Sequence, residues 1–459
     1  MMTFVQGDRR ALLPFFALVA VLLVTAARVD AAVFNPKTFR LSNGIQVVLI
    51  PNNRVPVATH MVWYRVGSAD EEPGKTGAAH LLEHLMFKGT PAYPSGAFSK
   101  IVARNGGQEN AFTSQDYTGY YQTIAVDRLE KVMAMEADRM TNLILSENDV
   151  KTERLVVLEE RRQRIDNNPS AILREYVNAA MFLNYPYRNP VIGWADEIRS
   201  LTRKDILAFY RRWYGPDNAI VVIAGDVTVE QVRPMAERTY GKIPAVSKPP
   251  RPRPGRVRPQ EPPQKASRRV VLKDERVRQP FWSRQFMAPS YRNGATGQAY
   301  ALEVLSEIFG DGSTSRLYRS LVVERKLAVS AGVRYDPSAL GPARFVVYAS
   351  PRLGVSIEQL KNAVADEIKI LLKSGVTSDE LERTVRRMQA DAVYARDSLS
   401  TGAQVLGESL VIGMSIDDVE SWPERIGAVT VEQINAAARA VLIRGHSVTS
   451  TLLPLKEGS

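Results

Sequence analysis

Residues 77–88 read Gly-Ala-Ala-His-Leu-Leu-Glu-His-Leu-Met-Phe-Lys and predict a buried helix that carries His80, Glu83 and His84. Residues four apart on an α-helix lie on one face, roughly 6 Å apart, so His80 and His84 can bind one metal ion together. Glu83 leans over the same face, where its carboxylate can take a proton from a water at the metal without being a ligand. The pattern is the His-Glu-x-x-His zinc helix run in the opposite chain direction, and it predicts a zinc site.

The third ligand of a catalytic zinc site should be a carboxylate here, because the chain has no cysteine and only four histidines. Residues 147–160 form a predicted helix with carboxylates at Glu153 and Glu160, two turns apart on one face. Glu159 points about 100° away from that face. Spacing alone favours Glu160 over Glu159 only modestly and leaves both open.

The N-terminus predicts an export signal. Arg9 and Arg10 precede an apolar run from Ala11 to Ala26, and small residues at Val29 and Ala31 favour cleavage after Ala31. The signal peptide is therefore assigned to residues 1–31, and the mature chain to a bacterial periplasm. The alternative is an uncleaved anchor that holds the protein at the membrane, and the two arginines weakly resemble a twin-arginine signal.

The positive charge of the chain is concentrated in one segment. The net charge is +11; residues 1–31 hold three Arg and two Asp, which leaves +10 for the mature chain. Residues 242–269 hold nine Lys or Arg and one Glu, or +8, so the rest is near +2. This distribution argues against a nucleic-acid partner, although binding of DNA or anionic lipid through the segment is a further hypothesis.

The same basic segment is rich in proline and predicts an extended, solvated linker over residues 244–268. The sequences on either side of it look alike. Each opens with strand-like runs and continues into a helix, residues 76–87 before the linker and 297–309 after it. The fold expected is α+β with two homologous domains, residues 32–243 and 269–459, each an antiparallel sheet packed with helices.

Aligning Phe87 with Phe309 tests whether both copies could hold a metal. Positions 80, 83 and 84 then correspond to Leu302, Leu305 and Ser306, which are not a zinc-binding set. One zinc ion per chain is therefore predicted.

The chain resembles the pitrilysin/insulinase metallopeptidases, most closely their mitochondrial-processing-peptidase-like bacterial subfamily. The motif at residues 80–84 is followed 76 positions later by Glu160. Other family-like stretches are Leu41-Ser42-Asn43-Gly44, Asn110-Ala111-Phe112-Thr113-Ser114, Pro190-Val191-Ile192-Gly193 and Tyr214-Gly215-Pro216-Asp217-Asn218.

The resemblance implies roles for individual residues. It makes His80, His84 and Glu160 the zinc ligands, Glu83 the general base, and Glu153 a carboxylate that orients a ligand. It also implies that Asn110 and Ala111 lie on an edge strand to which a substrate peptide adds as an extra strand. Composition alone fits an ordinary hairpin equally well.

The second half departs from the family pattern. Single-chain members carry there an Arg and, seven positions later, a Tyr that hold the substrate carbonyl and the oxyanion, and this chain has Val322 and Val329 instead. Arg334 and Tyr335 lie close by at the wrong spacing. The chain is thus expected to be the zinc-bearing subunit of a heterodimer, with a homologous partner chain that supplies the Arg/Tyr pair.

The function predicted is zinc-dependent endopeptidase cleavage of peptides or unfolded proteins. The alternative is a non-catalytic core or assembly subunit of the same family. The complete set His80, Glu83, His84 and Glu160 argues against that alternative, because a scaffold needs none of them.

Overall fold

Two β-sheets, one from each half of the chain, form the frame of the protein. The computed structural model describes residues 33–245, 256 and 258–455. The first sheet has six strands in the order β1-β2-β6-β3-β5-β4. Its strands are Lys37–Arg40 (β1), Gln46–Pro51 (β2), Val57–Tyr64 (β3), Gln108–Thr113 (β4), Thr118–Ala125 (β5) and Ala219–Gly225 (β6).

The second sheet repeats the first without its outermost strand. Its order is β7-β11-β8-β10-β9, with strands Arg268–Asp274 (β7), Phe281–Ala288 (β8), Ala328–Tyr335 (β9), Ala343–Pro351 (β10) and Ser447–Pro454 (β11). This order matches β2-β6-β3-β5-β4 position by position, which confirms the expected duplication. Each sheet departs from the antiparallel expectation at one pair, since β2 with β6 and β7 with β11 are parallel. Parallel strands need a long crossover connection, and many residues separate β2 from β6 and β7 from β11 along the chain.

In both halves, groups of helices lie between the strands along the chain. Those of the first half are Ala78–Leu85 (α1), Ala97–Arg104 (α2), Leu129–Asn142 (α3), Glu147–Arg161 (α4), Pro169–Met181 (α5), Ala195–Ser200 (α6), Arg203–Trp213 (α7) and Val229–Arg238 (α8). Those of the second half are Ala299–Gly310 (α9), Arg316–Tyr318 (α10), Ile357–Ser374 (α11), Ser378–Tyr394 (α12), Leu399–Val411 (α13), Ile416–Glu420 (α14), Trp422–Gly427 (α15) and Val431–Val441 (α16). None of the helices within the described ranges is long and apolar enough to cross a membrane.

The first sheet is apolar on both faces, and each face has its own cover. Successive side chains on a strand point to opposite faces. Val47 and Leu49 accordingly belong to one core, with Leu81 and Leu85 of α1. Val48 lies on the opposite face, in a second core that includes residues of α13. The strands are therefore apolar at successive positions, and α1 packs against the face that carries Val47 and Leu49.

Each half contributes one helix that packs against the sheet of the other half. Helix α13 of the second half lies against β3 and β6 of the first sheet, and α5 of the first half lies against β7 and β11 of the second. Gly407 on α13 faces Trp63, and a Cβ at that glycine would stand 2.1 Å from the indole ring. These contacts join the two halves into one packed unit. The expected domain boundaries at residues 243 and 269 therefore stay a prediction.

The end of the proline-rich segment departs from the expected solvated linker. The Arg258 side chain is buried and pairs with Asp70, Nη2 to Oδ1 at 2.9 Å, and with Asp116. Glu261 accepts the backbone N–H groups of residues 183–185 at 2.8–3.0 Å. Long-range ion pairs of this kind leave no mark in local sequence, which is why composition suggested a free spacer. The expected signal peptide, residues 1–31, and residues 246–255 and 257 lie outside the described residues.

Candidate metal centre

Helix α1 is fixed at its first turn by close backbone packing. Its N-cap is Gly77, with a φ of +90°, and a Cβ there would stand 2.7 Å from the carbonyl oxygen of Ile192. Only glycine accepts both the left-handed backbone and the close approach. The Glu71 carboxylate accepts the N–H groups of Gly77 and Ala79 at 3.0 and 2.8 Å. These donors would otherwise be unpaired, so the helix start has a defined position.

Helix α4 presents its carboxylates to α1 because of its own periodicity. It begins with a capping box in which Ser146 and Asp149 bond each other's backbone N–H groups. Val150, Glu153 and Val157 are buried, at helical spacings of three and four residues. Glu160 continues this face by three residues and is the residue that approaches the histidines.

Three side chains converge at one point between the two helices. Glu160 Oε2 lies 3.2 Å from His84 Nε2 and 3.8 Å from His80 Nε2. One ligand atom from each of the three residues lies within 4.8 Å of the others. Ligands at about 2.0–2.2 Å from a tetrahedral zinc ion stand roughly 3.3–3.6 Å apart, and the separations of Glu160 Oε2 from the two histidine nitrogens, 3.2 and 3.8 Å, are close to this range.

The donor atoms also fit a metal chemically. Glu160 Oε2 is buried, and the nearest ring nitrogens are His84 Nε2 at 3.2 Å and His80 Nε2 at 3.8 Å. A buried carboxylate charge is costly, and a cation shared by these three atoms would compensate it. Glu159 instead forms an exposed ion pair with Arg162, Oε1 to Nη2 at 2.7 Å. The structure thus brings Glu160, and not Glu159, to the histidines.

Charged side chains behind the cluster hold the ligands in place. Glu153 Oε1 lies 3.0 Å from His84 Nδ1, and its Oε2 lies 2.5 Å from Lys88 Nζ. A proton on Nδ1 that is donated to Glu153 leaves Nε2 free to bind a metal. Arg164 Nη1 lies 2.8 Å from Glu160 Oε1, which leaves Oε2 as the oxygen that faces the histidines.

The pKa values of the two histidines are shifted in opposite directions. Burial, with the nearby His84, lowers the pKa of His80 to about 4. Burial also acts to lower the pKa of His84, but hydrogen bonds to Glu153 and Glu160 outweigh it and raise that pKa to about 9. His80 is therefore neutral near pH 7, as a metal ligand must be, whereas His84 holds a proton that a metal ion would displace.

Glu83 lies beside the cluster without belonging to it. The Thr113 hydroxyl donates a hydrogen bond to Glu83 Oε2 at 2.5 Å. Burial raises the pKa of Glu83, and the bond from Thr113 opposes that rise. A carboxylate with a raised pKa next to a metal site is suited to exchanging protons near neutral pH.

The edge of the first sheet leads to this carboxylate. Strand β4 ends the sheet order, and Asn110 and Ala111 pair with Tyr121 and Tyr120 of β5. The Asn110 side chain accepts the N–H of Ala111 at 2.8 Å. Thr113, the last residue of the strand, is the one that contacts Glu83. The geometry suits strand addition at this edge, and the substrate-binding roles of Asn110 and Ala111 stay a prediction.

The corresponding region of the second half offers no metal cluster among the described residues. Leu302 and Leu305 are buried in the second core, and Ser306 donates its hydroxyl to the Glu303 carbonyl. Val329 is half exposed on β9. Tyr335 nearby donates its hydroxyl to the carbonyl oxygen of Pro289.

Several residues of the site escaped sequence reasoning. Arg164 follows Glu160 by four residues, a spacing that could have suggested their contact. Lys88 contacts Glu153 on a different helix, so no local spacing indicates that pair. Thr113 lies in a family-like stretch, but its bond to Glu83 joins a strand end to a helix. The contact of Glu71 with the start of α1 likewise crosses a loop that has no periodic pattern.

Comparison with known proteins identifies the relatives of this arrangement. Residues 46–194 match the family model described as insulinase (peptidase family M16), and residues 200–388 match the one described as the peptidase M16 inactive domain. The chain is 34% identical to the zinc protease PqqE of Helicobacter pylori over 397 residues, covering 85% of this chain and 88% of that protein. An uncharacterized zinc protease of Streptomyces coelicolor is 32% identical over 426 residues, covering 91% and 89%.

Solved structures agree with the sequence relatives. A crystal structure of a protease from Helicobacter pylori matches with a TM-score of 0.85 and 30% identity, covering 91% of this chain and 99% of that chain. The periplasmic protease PqqL from Escherichia coli shares the fold, with a TM-score of 0.78 and 20% identity, covering 91% of this chain but 47% of that chain.

The duplicated α+β fold is thus shared with proteins named as zinc proteases. The chain belongs to the insulinase family, peptidase family M16. The family model that matches residues 200–388 carries the word "inactive", and Leu302 and Leu305 within that range are buried in the second core.

Proposed function

We propose that this chain is a zinc endopeptidase with one zinc ion, held by His80, His84 and Glu160. The single observation that carries the proposal is the convergence of these three ligand atoms within 4.8 Å, beside a Glu83 carboxylate that is not one of the three. When bound, zinc supplies Lewis acidity, which lowers the pKa of water and polarises a carbonyl group.

Glu83 is the residue that moves the proton in this proposal. Its carboxylate accepts a proton from the attacking water and returns it to the amine that leaves. Thr113 holds one carboxylate oxygen of Glu83, which leaves the other oxygen to act as base. Glu153 and Arg164 keep His84 and Glu160 in their binding orientations. The peptide adds along β4, where Asn110 and Ala111 would pair with its backbone.

The substrate class follows from this mode of binding. Backbone pairing with an edge strand selects peptides by their extended conformation more than by their side chains. Flexible peptides and unfolded proteins can adopt that conformation and are therefore the expected substrates. Folded proteins present few free extended segments, which disfavours them as substrates.

We further propose that the chain acts with a homologous partner. Val322 and Val329 stand where the family pattern has its Arg and Tyr, so no donor is supplied for the developing oxyanion at those positions. The chain matches 47% of PqqL and 46% of pitrilysin, which supports the idea that a second such half completes the enzyme. Export to the periplasm is proposed from residues 1–31, with membrane anchoring by the same residues as the alternative.

Zinc analysis and peptide cleavage by purified residues 32–459 test the proposal. We expect one zinc ion per chain and cleavage of an unstructured peptide that stops on chelation and returns with zinc. A chain that binds zinc stoichiometrically but cleaves no unstructured peptide, alone or with its homologue, would instead be the non-catalytic assembly subunit.

A further inference from the structure

A large cavity lies on one face of the second sheet, apart from the three metal-ligand candidates. Its volume is about 780 Å³. One wall is helix α5, and the floor consists of side chains from β8, β9, β10 and β11. Residues 114–117, which directly follow β4, form another part of the wall. The cavity therefore begins one residue beyond Thr113, the residue that contacts Glu83.

Three arginines face this cavity without a carboxylate partner among the described residues. Arg174 comes from α5, Arg334 from β9 and Arg344 from β10. Val346 pairs with Arg334 across the sheet, so Arg344, two residues before Val346, is a diagonal neighbour of Arg334. The guanidinium of Arg344 donates to the side-chain oxygen of Asn178, and that of Arg334 lies 4.9 Å from the centre of the Tyr348 ring.

Three of the acidic residues in the same walls are paired with arginines outside this group of three. Glu307 and Asp311 both pair with Arg387, at 2.6 and 3.3 Å. Asp116 pairs with Arg258. Two further acids, Asp336 and Glu408, form no ion pair within the described ranges and accept hydrogen bonds from the Ser338 N–H and the Tyr117 hydroxyl. Neither acid pairs with Arg174, Arg334 or Arg344 among the described residues, so these three arginines keep no counter-ion in contact.

Arg344 is the least exposed of the three arginines, and its unpaired charge is unfavourable for the protein alone. Burial, together with the charge of Arg174, lowers the pKa of Arg344. A charge removed from water without a counter-ion raises the free energy of the folded state, and a second like charge adds to this. A carboxylate bound between the arginines would reverse both effects, because guanidinium–carboxylate hydrogen bonds are short, strong and often bidentate.

Gln285 adds a second, independent sign that a ligand belongs here. Its side chain lines the cavity and is 9% exposed, and its Oε1 atom has no hydrogen-bond donor among the described residues. A buried amide oxygen without a donor is unfavourable. A peptide N–H group provides such a donor, whereas an inorganic anion does not.

We propose that this cavity is a peptide subsite in which Arg174, Arg334 and Arg344 bind a carboxylate of the substrate, an inference that rests on the proposed peptidase function. A peptide that lies along β4 and continues past Thr113 meets residues 114–117 and enters the cavity. The carboxylate is either the C-terminus of the peptide or an acidic side chain, and the arginines recognise both through the same chemistry. The site would favour substrates that carry such a group at a fixed distance from the cleaved bond.

Peptide binding to residues 32–459 carrying Glu83→Gln, loaded with zinc, tests the subsite without turnover. Three short acetylated peptides of alanine, leucine and serine serve as probes in titration calorimetry. One has a free C-terminal carboxylate, one has a C-terminal amide and a central glutamate, and one has the amide and a glutamine instead. We expect one or both carboxylate peptides to bind about ten-fold tighter than the neutral peptide, and the better of them identifies the source.

Substitutions of the arginines test whether they cause the preference for carboxylate peptides. Arg344→Gln should remove the preference for carboxylate, and Arg174→Gln should reduce it about two- to five-fold. Arg174 is exposed on a helix, so its variant should fold even where Arg344→Gln does not. Arg269→Gln is the matched control, since Arg269 lies exposed on β7 of the same sheet, does not line the cavity and loses the same charge.

Equal binding of all three peptides, or no binding of any, would overturn the subsite. So would losses in Arg344→Gln and Arg174→Gln that Arg269→Gln reproduces. Cleavage of the neutral peptide by the chain with Glu83 intact is measured separately. Neutral-peptide cleavage without carboxylate preference contradicts the subsite alone, whereas carboxylate binding without any cleavage contradicts the peptidase function alone.

Discussion

The Thr113 hydroxyl donates a hydrogen bond to Glu83 Oε2 at 2.5 Å and so joins the end of the edge strand β4 to the helix that carries both histidines. The contact connects the proposed substrate strand to the proposed general base. We predict that Thr113→Val lowers kcat about ten- to a hundred-fold, because a hydrogen bond to a charged group contributes about 1.5–3 kcal/mol. Zinc content should not change, because Thr113 is not a ligand.

Thr113→Ser is the control, since serine keeps the hydroxyl and should restore most of kcat. The measurement is steady-state cleavage of one unstructured peptide, with kcat and KM determined separately. If Thr113→Val raised KM and left kcat unchanged, the residue would serve peptide binding rather than the positioning of Glu83.

Glu83→Gln should retain one zinc ion per chain and lose cleavage. Glutamine keeps the size of the side chain and its bond from Thr113 but cannot accept a proton. The expected loss in kcat is about a hundred- to ten-thousand-fold, the usual contribution of a general base. Zinc content by mass spectrometry and cleavage are measured on the same preparation. Substantial activity in the metal-loaded variant would contradict the role of Glu83.

Glu160→Gln should weaken zinc binding strongly, whereas Glu159→Gln should not. Glu160 Oε2 lies 3.2 Å from His84 Nε2, and the neutral amide of glutamine is a poor zinc ligand. Glu159 faces solvent and bonds Arg162 and Gln163 on its own helical path. Competition with a chelator of known zinc affinity measures both variants. Equal affinities in the two would show that the third ligand was assigned to the wrong residue.

Local periodicity was enough to predict both helices of the metal centre. The spacing of His80, Glu83 and His84 placed them on one helix face, and Glu153 and Glu160 shared a face two turns apart. The choice between Glu159 and Glu160 needed the three-dimensional contact, because neighbours on a helix differ by only about 100°. The strand order of the second sheet followed the expected duplication, since both halves fold by the same local rules.

Contacts between distant parts of the chain were beyond such reasoning. The exchange of α5 and α13 between the sheets depends on shape, as in the fit of Gly407 against Trp63. Arg174 and Arg344 meet in one cavity although 170 positions separate them in the sequence. Neither arginine stands in a pattern that distinguishes it from the many exposed arginines of the chain.

A buried carboxyl group in the second half predicts a pH-dependent stability. Burial raises the pKa of Glu303 to about 8, against a hydrogen bond from the Tyr291 hydroxyl. The folded state then binds a proton more tightly than the unfolded state, whose pKa is about 4.3. Stability should therefore fall as pH rises from about 4 to about 8 and level off above that range.

Glu303→Gln should remove this dependence, because the amide is neutral at every pH and can still accept from Tyr291. Its midpoint of thermal unfolding should equal that of the parent protein near pH 4 and exceed it by several degrees near pH 9. Glu424→Gln, at an exposed position on α15, is the control for the change in charge. A constant difference between Glu303→Gln and the parent across this range would show that Glu303 titrates normally.

The last prediction concerns the partner. We expect the lone chain to cleave peptides slowly and a homologous chain with the Arg/Tyr pair to accelerate cleavage about a hundred- to a thousand-fold, the usual effect of an oxyanion donor. The reason is that Val322 and Val329 bring no hydrogen-bond donor to that position. The mass in solution should rise from that of one chain to that of a pair when the homologue is added. A partner whose Arg and Tyr are replaced should still associate but fail to accelerate cleavage, which separates assembly from chemistry. Full activity of the lone chain, unchanged by the homologue, would rule out the heterodimer and direct attention to Arg334 and Tyr335 as substitutes.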